Sequence, residues 1–155
     1  MDFKTENFSD YQIRRLRLIN FHNFTDETIN VQGSLFLIGN NGTGKTTILD
    51  AIHLVLTGGQ QLTYNAATIF GPRSQAGRTL AGVILRHDFE SGKTDREEGA
   101  IGYAAMELVH SKSNHVITVG VGAFVQGMDQ RPDTWGFVSE SSLDKIPLTI
   151  SVKQK

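Results

Sequence analysis

The sequence predicts an α/β fold in which a strand–loop–helix unit carries an attached antiparallel β-subdomain. Three observations predict it. The apolar run Ser34-Leu35-Phe36-Leu37-Ile38 leads directly into a glycine-rich stretch from Gly39 to Gly44. A segment with apolar residues at helical spacing follows, from Lys45 to Leu56. From Ala100 onward the apolar residues fall in short, turn-separated runs of the strand type.

Each element has a local reason. Arg14 to Phe21 sets Leu16 and Leu18 against Arg15 and Arg17, the alternation of a strand with one buried face. Thr28 to Val31 reads as a short strand with Ile29 and Val31 on one face, and Gln32-Gly33 turns the chain into Ser34–Ile38. Because that run is apolar without alternation, it is expected to be a strand covered on both faces. Lys45 to Leu56 reads as a helix whose stripe is Ile48, Ile52 and Val55, widened by Leu49 and Leu56, with Gly58-Gly59 as its stop. Residues 57–100 are loop-rich, with a short helix around Thr79 to Arg86. Ile101 to His110 and Val116 to Val125 flank Ser111-Lys112-Ser113-Asn114 as a β-hairpin, and Trp135–Val138 and Ile146–Val152 read as further strands. The organisation is thus a strand–loop–helix core over 1–60, a loop-rich insert over 61–99 and antiparallel strands over 100–155.

Composition narrows the function classes. With 155 residues, 39% hydrophobic and 20% charged, the chain suits one soluble globular domain. A formal net charge of -1 gives no bulk electrostatic footprint for nucleic acid or membrane, so any DNA contact must come from a local patch or another part of the protein. The lack of cysteine removes disulfides, zinc thiolate sites and cysteine nucleophiles. It suits a reducing cytoplasm, and the polar, acidic Met1–Asp10 has no apolar core of a signal peptide, so the expected location is cytoplasmic with no membrane partner. The five histidines are scattered, without metal-ligand spacing.

The motif that carries chemistry is Gly39-Asn40-Asn41-Gly42-Thr43-Gly44-Lys45-Thr46, a full match to G-x-x-x-x-G-K-[ST]. Its glycines let the backbone curl so that successive N–H groups aim at one phosphate, and the helix N-terminus adds positive potential. Lys45 is expected to reach the β- and γ-phosphates, Thr46 to place its hydroxyl on Mg²⁺, and Thr47 to donate to the α-phosphate. The ligand implied is a nucleoside triphosphate, ATP with magnesium. Hydrolysis needs in addition an acid at the end of an apolar strand. Val83-Ile84-Leu85 runs into Arg86-His87-Asp88 with the wrong spacing, and Asp50 falls inside the helix as a surface or packing residue. No catalytic residue is assigned.

A wider pattern surrounds the loop. Ile13-Arg14-Arg15-Leu16-Arg17-Leu18-Ile19-Asn20-Phe21-His22-Asn23-Phe24, then Glu27–Val31, the phosphate loop and Thr47-Ile48-Leu49-Asp50-Ala51-Ile52 resemble the N-terminal ends of SMC and related DNA-repair ATPases. Tyr64-Asn65-Ala66-Ala67 and Gly77-Arg78-Thr79-Leu80-Ala81-Gly82 resemble the head of the MukB-like, Wadjet-type SMC proteins, the JetC subfamily. The resemblance implies the N-terminal lobe of an ABC/SMC-type P-loop ATPase head. A coiled coil and a C-terminal head lobe with signature motif and acidic strand would complete it. ATP would be sandwiched against a second SMC-like head, and DNA would be the substrate moved or looped. For the Wadjet type it further implies kleisin-type, accessory and nuclease partners in defence against plasmid DNA.

Leu56-Thr57-Gly58-Gly59-Gln60 resembles the LSGGQ signature of ABC-type ATPases, but it closes the phosphate-loop helix instead of opening one, so its glycines read as a cap. Arg78 is a candidate for reaching ATP phosphates, or DNA, when two heads engage, with a surface or capping role as the alternative; Arg73 has a weaker claim. Arg14, Arg15 and Arg17 read either as a DNA-facing strand or as a solvated one. Two other functions stay open from the residues alone: a small stand-alone P-loop kinase or NTPase, and a non-hydrolysing module whose nucleotide controls partner binding.

Overall fold

The structure is a computed structural model and describes residues 10–31, 34–60, 79–88, 91–96 and 98–148. Its strands are β1 (Tyr11–Phe21), β2 (Phe24–Asn30), β3 (His87–Asp88), β4 (Lys93–Thr94), β5 (Ala100–His110), β6 (Val116–Val125) and β7 (Asp133–Ser139). The helices are α1 (Lys45–Leu56) and α2 (Leu80–Leu85), with a 3-10 turn at Leu143–Lys145. Five strands form one antiparallel sheet in the order β2-β1-β5-β6-β7, and β3 pairs with β4 separately. The β-subdomain is therefore built from both ends of the chain: β1 takes its place between β2 and β5, with Leu16 opposite Met106 and Leu18 opposite Ala104.

Both helices pack on one face of this sheet. Leu16, Leu18 and Phe21 of β1, Ala104 and Met106 of β5, and Val121, Ala123 and Val125 of β6 meet Ile48, Ala51, Leu54 and Val55 of α1 and Ala81, Ile84 and Leu85 of α2. Burial of each large member contributes roughly 1.5–3 kcal/mol. The stripe of α1 is rotated from the one read in sequence. Leu54 is 2% exposed, whereas Leu49 and Leu56 are 59% and 69% exposed. Residues 47, 48, 51, 54 and 55 share the sheet-facing side at 3.6 residues per turn, which leaves 49 and 56 outside it.

The opposite face has an aromatic edge. Gly122 stands opposite Trp135 and Gly120 opposite Phe137, and a Cβ on either glycine would run into the facing ring. The rings lie across the glycines, and Tyr103 meets Trp135 edge-on at 5.9 Å. Further along this face Glu107, with no exposed surface, accepts from Arg14 Nε (2.5 Å), Arg15 Nε (2.9 Å), Arg15 Nη2 (2.7 Å), Ser142 Oγ (3.0 Å) and the Leu143 N–H (2.8 Å).

Two expectations change. Ser34 to Ile38 is not a covered strand. It makes an isolated bridge at Ser34, and Phe36 and Ile38 are 85% and 94% exposed. Neither described sheet includes it, so Phe36 and Ile38 lack the layers that would bury them, while Leu37 packs against the core. The strand read over Ile146–Val152 is absent from its described part, 146–148, and its remainder lies outside the described residues.

Candidate phosphate-binding site

The loop between the Ser34–Ile38 segment and α1 has the shape its sequence demands. Gly42 and Gly44 sit at φ 84 and 91, in the left-handed region that glycine enters without strain. Gly44 is also buried, and a Cβ there would meet the Phe24 ring at 2.8 Å, so a second requirement selects glycine. Phe24, at the start of β2, thus packs beneath the loop.

Gly44 is the N-cap of α1 and offers no side-chain cap, and no acidic residue lies in the first turn. The first intrahelical bond runs from Ile48 N to Gly44 O, so the N–H groups before it have no partner within the helix. This is an uncompensated positive helix end, the arrangement that suits an anion. Lys45 reaches back across the loop, donating from Nζ to Gly39 O (2.8 Å) and Asn40 O (2.7 Å), with Thr43 Oγ1 at 3.4 Å. Thr43 Oγ1 itself donates to Asn40 O at 2.9 Å. These bonds hold Gly39, Asn40, Asn41, Gly42 and Thr43 in one turn around the ammonium. Thr46 is exposed, so its hydroxyl is open to a cation beside the loop. A phosphate chain with Mg²⁺ fits these residues: loop N–H groups and Lys45 for the phosphates, Thr46 for the metal.

Thr47 lies beneath the loop. Its residue is 1% exposed, and its Oγ1 lies 3.3 Å from His22 Nδ1, so the hydroxyl is engaged beneath the loop. Sequence reading did not single out His22, for nothing in the spacing of Phe21-His22-Asn23 marks a contact 25 residues away. Burial first, and then the Arg86 charge, push the His22 imidazole below its usual range. Arg78 lies outside the described residues, as do Arg73 and the stretch Tyr64–Ala67.

Beside the loop, Asp50 is buried on the sheet side of α1, a packing position, and His53 is exposed. Leu56–Gln60 is a helix cap: Gly59 N donates to Leu54 O (3.0 Å) and Gly58 N to Val55 O (3.1 Å), the paired bonds of a Schellman motif. Arg14 and Arg15 pair with Glu107, Arg15 also with Asp144, and Arg17 with Asp26. Their charges are met by carboxylates, which favours the structural reading of that strand over a DNA-facing one.

No group of three or more His, Cys, Asp or Glu among the described residues could hold a metal ion, and no described helix is long and apolar enough to cross a membrane.

Residues 13–69 match the family described as the P-loop containing region of an AAA domain. A stretch of 72 residues is 29% identical to the DNA replication and repair protein RecF of Treponema pallidum (strain Nichols). That stretch is 46% of this chain and 20% of the RecF protein, so the chain matches about a fifth of its relative's length. No solved structure matches. The family match includes the phosphate loop, and the two matches together with its geometry support a nucleotide-binding role of the P-loop ATPase kind.

Proposed function

We propose that this chain is the ATP- and magnesium-binding N-terminal lobe of an SMC-like, ABC-type ATPase head that acts on DNA, and that its site is completed by a second lobe. The observation that carries the reading is the phosphate loop flanked by uncovered apolar side chains. Phe36 and Ile38 precede it at 85% and 94% exposure, and Leu49 follows at 59%. A strand entering a phosphate loop is normally buried in a parallel sheet, and among the described residues no such sheet flanks this one. The C-terminal head lobe of the same protein is the proposed source, bringing the signature motif and the acidic strand. A second SMC-like head then closes over the nucleotide.

The similarity to a DNA replication and repair protein supports DNA as the substrate. The resemblance over Tyr64–Ala67 and Gly77–Gly82 extends the proposal to the Wadjet type, with kleisin-type, accessory and nuclease partners and a role against plasmid DNA.

The test of the site is MgATP binding by the wild-type chain and Lys45→Ala. Loss of a charge-assisted contact worth about 1.5–3 kcal/mol should weaken binding by roughly 10- to 150-fold. Equal affinities would overturn the reading.

A further inference from the structure

We propose that His22 is a positioning residue for the phosphate loop, fixing the first turn of α1 through Thr47 and tying that turn to α2. The inference rests on the phosphate-loop reading above and names a residue outside the loop on which the loop depends.

Three observations converge on His22. Its φ is 52, a left-handed conformation that costs a residue with a side chain and persists only where the surroundings hold it. Its backbone N–H donates to Val83 O of α2 at 3.0 Å. Its Nδ1 lies 3.3 Å from the Oγ1 of the buried Thr47. The turn between β1 and β2 is therefore pinned at one residue to both helices.

The consequence for the site lies in the backbone of Thr47. Because the first intrahelical bond starts at Ile48 N, the Thr47 N–H is one of the donors that α1 leaves for an anion. Holding the side chain at His22 fixes the direction of that N–H, and with it the adjoining Thr46 hydroxyl. A neutral imidazole can take the Thr47 hydroxyl proton in a hydrogen bond at Nδ1, and burial favours the neutral ring. On the far side α2 is held in turn, because Arg96 donates to Ile84 O and to Asn20 Oδ1, the latter at 3.3 Å.

The variants separate backbone from contact. His22→Gly keeps the positive φ without strain and deletes the ring, whereas His22→Asn tolerates that φ and restores an acceptor. Thr47→Val keeps the shape and removes the hydroxyl; Thr47→Ser keeps the hydroxyl. With the full 155-residue chain, His22→Gly should retain its circular dichroism but bind MgATP about five-fold more weakly, the worth of one net hydrogen bond. His22→Asn and Thr47→Ser should bind close to wild type. Thr47→Val should lose as much as His22→Gly, and the double variant no more than either alone. Wild-type affinity in His22→Gly, or additive losses in the double variant, would overturn the proposal. Should His22→Gly not fold, the comparison of Thr47→Val with Thr47→Ser decides it: equal affinities sink the idea. A wild-type chain that binds no MgATP would refute the phosphate-loop reading itself, a different failure.

Discussion

Glu107 shows how much one carboxylate can organise. Burial alone would raise its pKa, but hydrogen bonds from Arg15, Arg14, the Leu143 N–H and Ser142 outweigh that and hold it far below the usual carboxylate range. The same bonds explain why two of the three arginines on β1 are not free for nucleic acid. A carboxylate with a depressed pKa contributes stability that is complete above its unfolded value, near 4.5, and is lost as the pH falls below it. Glu107→Gln should therefore unfold at lower denaturant at pH 7, by about 3 kcal/mol. It should also lose less stability than wild type as the pH falls from 5 to 2, a range that begins just above the ordinary value of 4.5. Parallel acid titrations of the two proteins would contradict this account of Glu107.

At the scale of elements, the aromatic edge makes a sharp prediction. The rings of Phe137 and Trp135 occupy the space where Gly120 and Gly122 would carry a Cβ. Gly120→Ala or Gly122→Ala should push β7 off the sheet edge and cost about 1–3 kcal/mol by overpacking. Trp135 fluorescence should shift toward the exposed spectrum in Gly122→Ala; an unchanged spectrum and midpoint would refute the packing argument.

These elements also show what was legible in sequence. The loop, the bounds of α1, the β5–β6 hairpin and the glycine cap were readable because each depends on neighbouring residues: a helix start, a period, a turn. The order β2-β1-β5-β6-β7 was not, because pairing β1 with β5 joins residues about ninety positions apart and leaves no local trace. The rotation of α1 escaped for a related reason. Leu49, Leu54 and Leu56 are equally apolar, and only the sheet decides which of them turns inward. The phosphate loop was legible as a site, whereas the His22–Thr47 contact beneath it was not.

For the whole molecule, the misread Ser34–Ile38 segment is the most informative feature. Its sequence is that of a strand buried on both sides, yet among the described residues no such burial is provided. A sequence and a structure that disagree in this way point to a missing layer, and a second lobe that supplies it would bury Phe36, Ile38 and Leu49. Phe36→Ser with Ile38→Ser should leave MgATP affinity of the chain unchanged within about two-fold, because neither side chain belongs to the loop. Supplied with the proposed C-terminal lobe, the wild-type chain should form a stable complex and gain ATP turnover, whereas the double variant should gain neither. ATP turnover by the chain alone, unaltered by that lobe, would instead establish a self-contained NTPase and remove the need for a composite site.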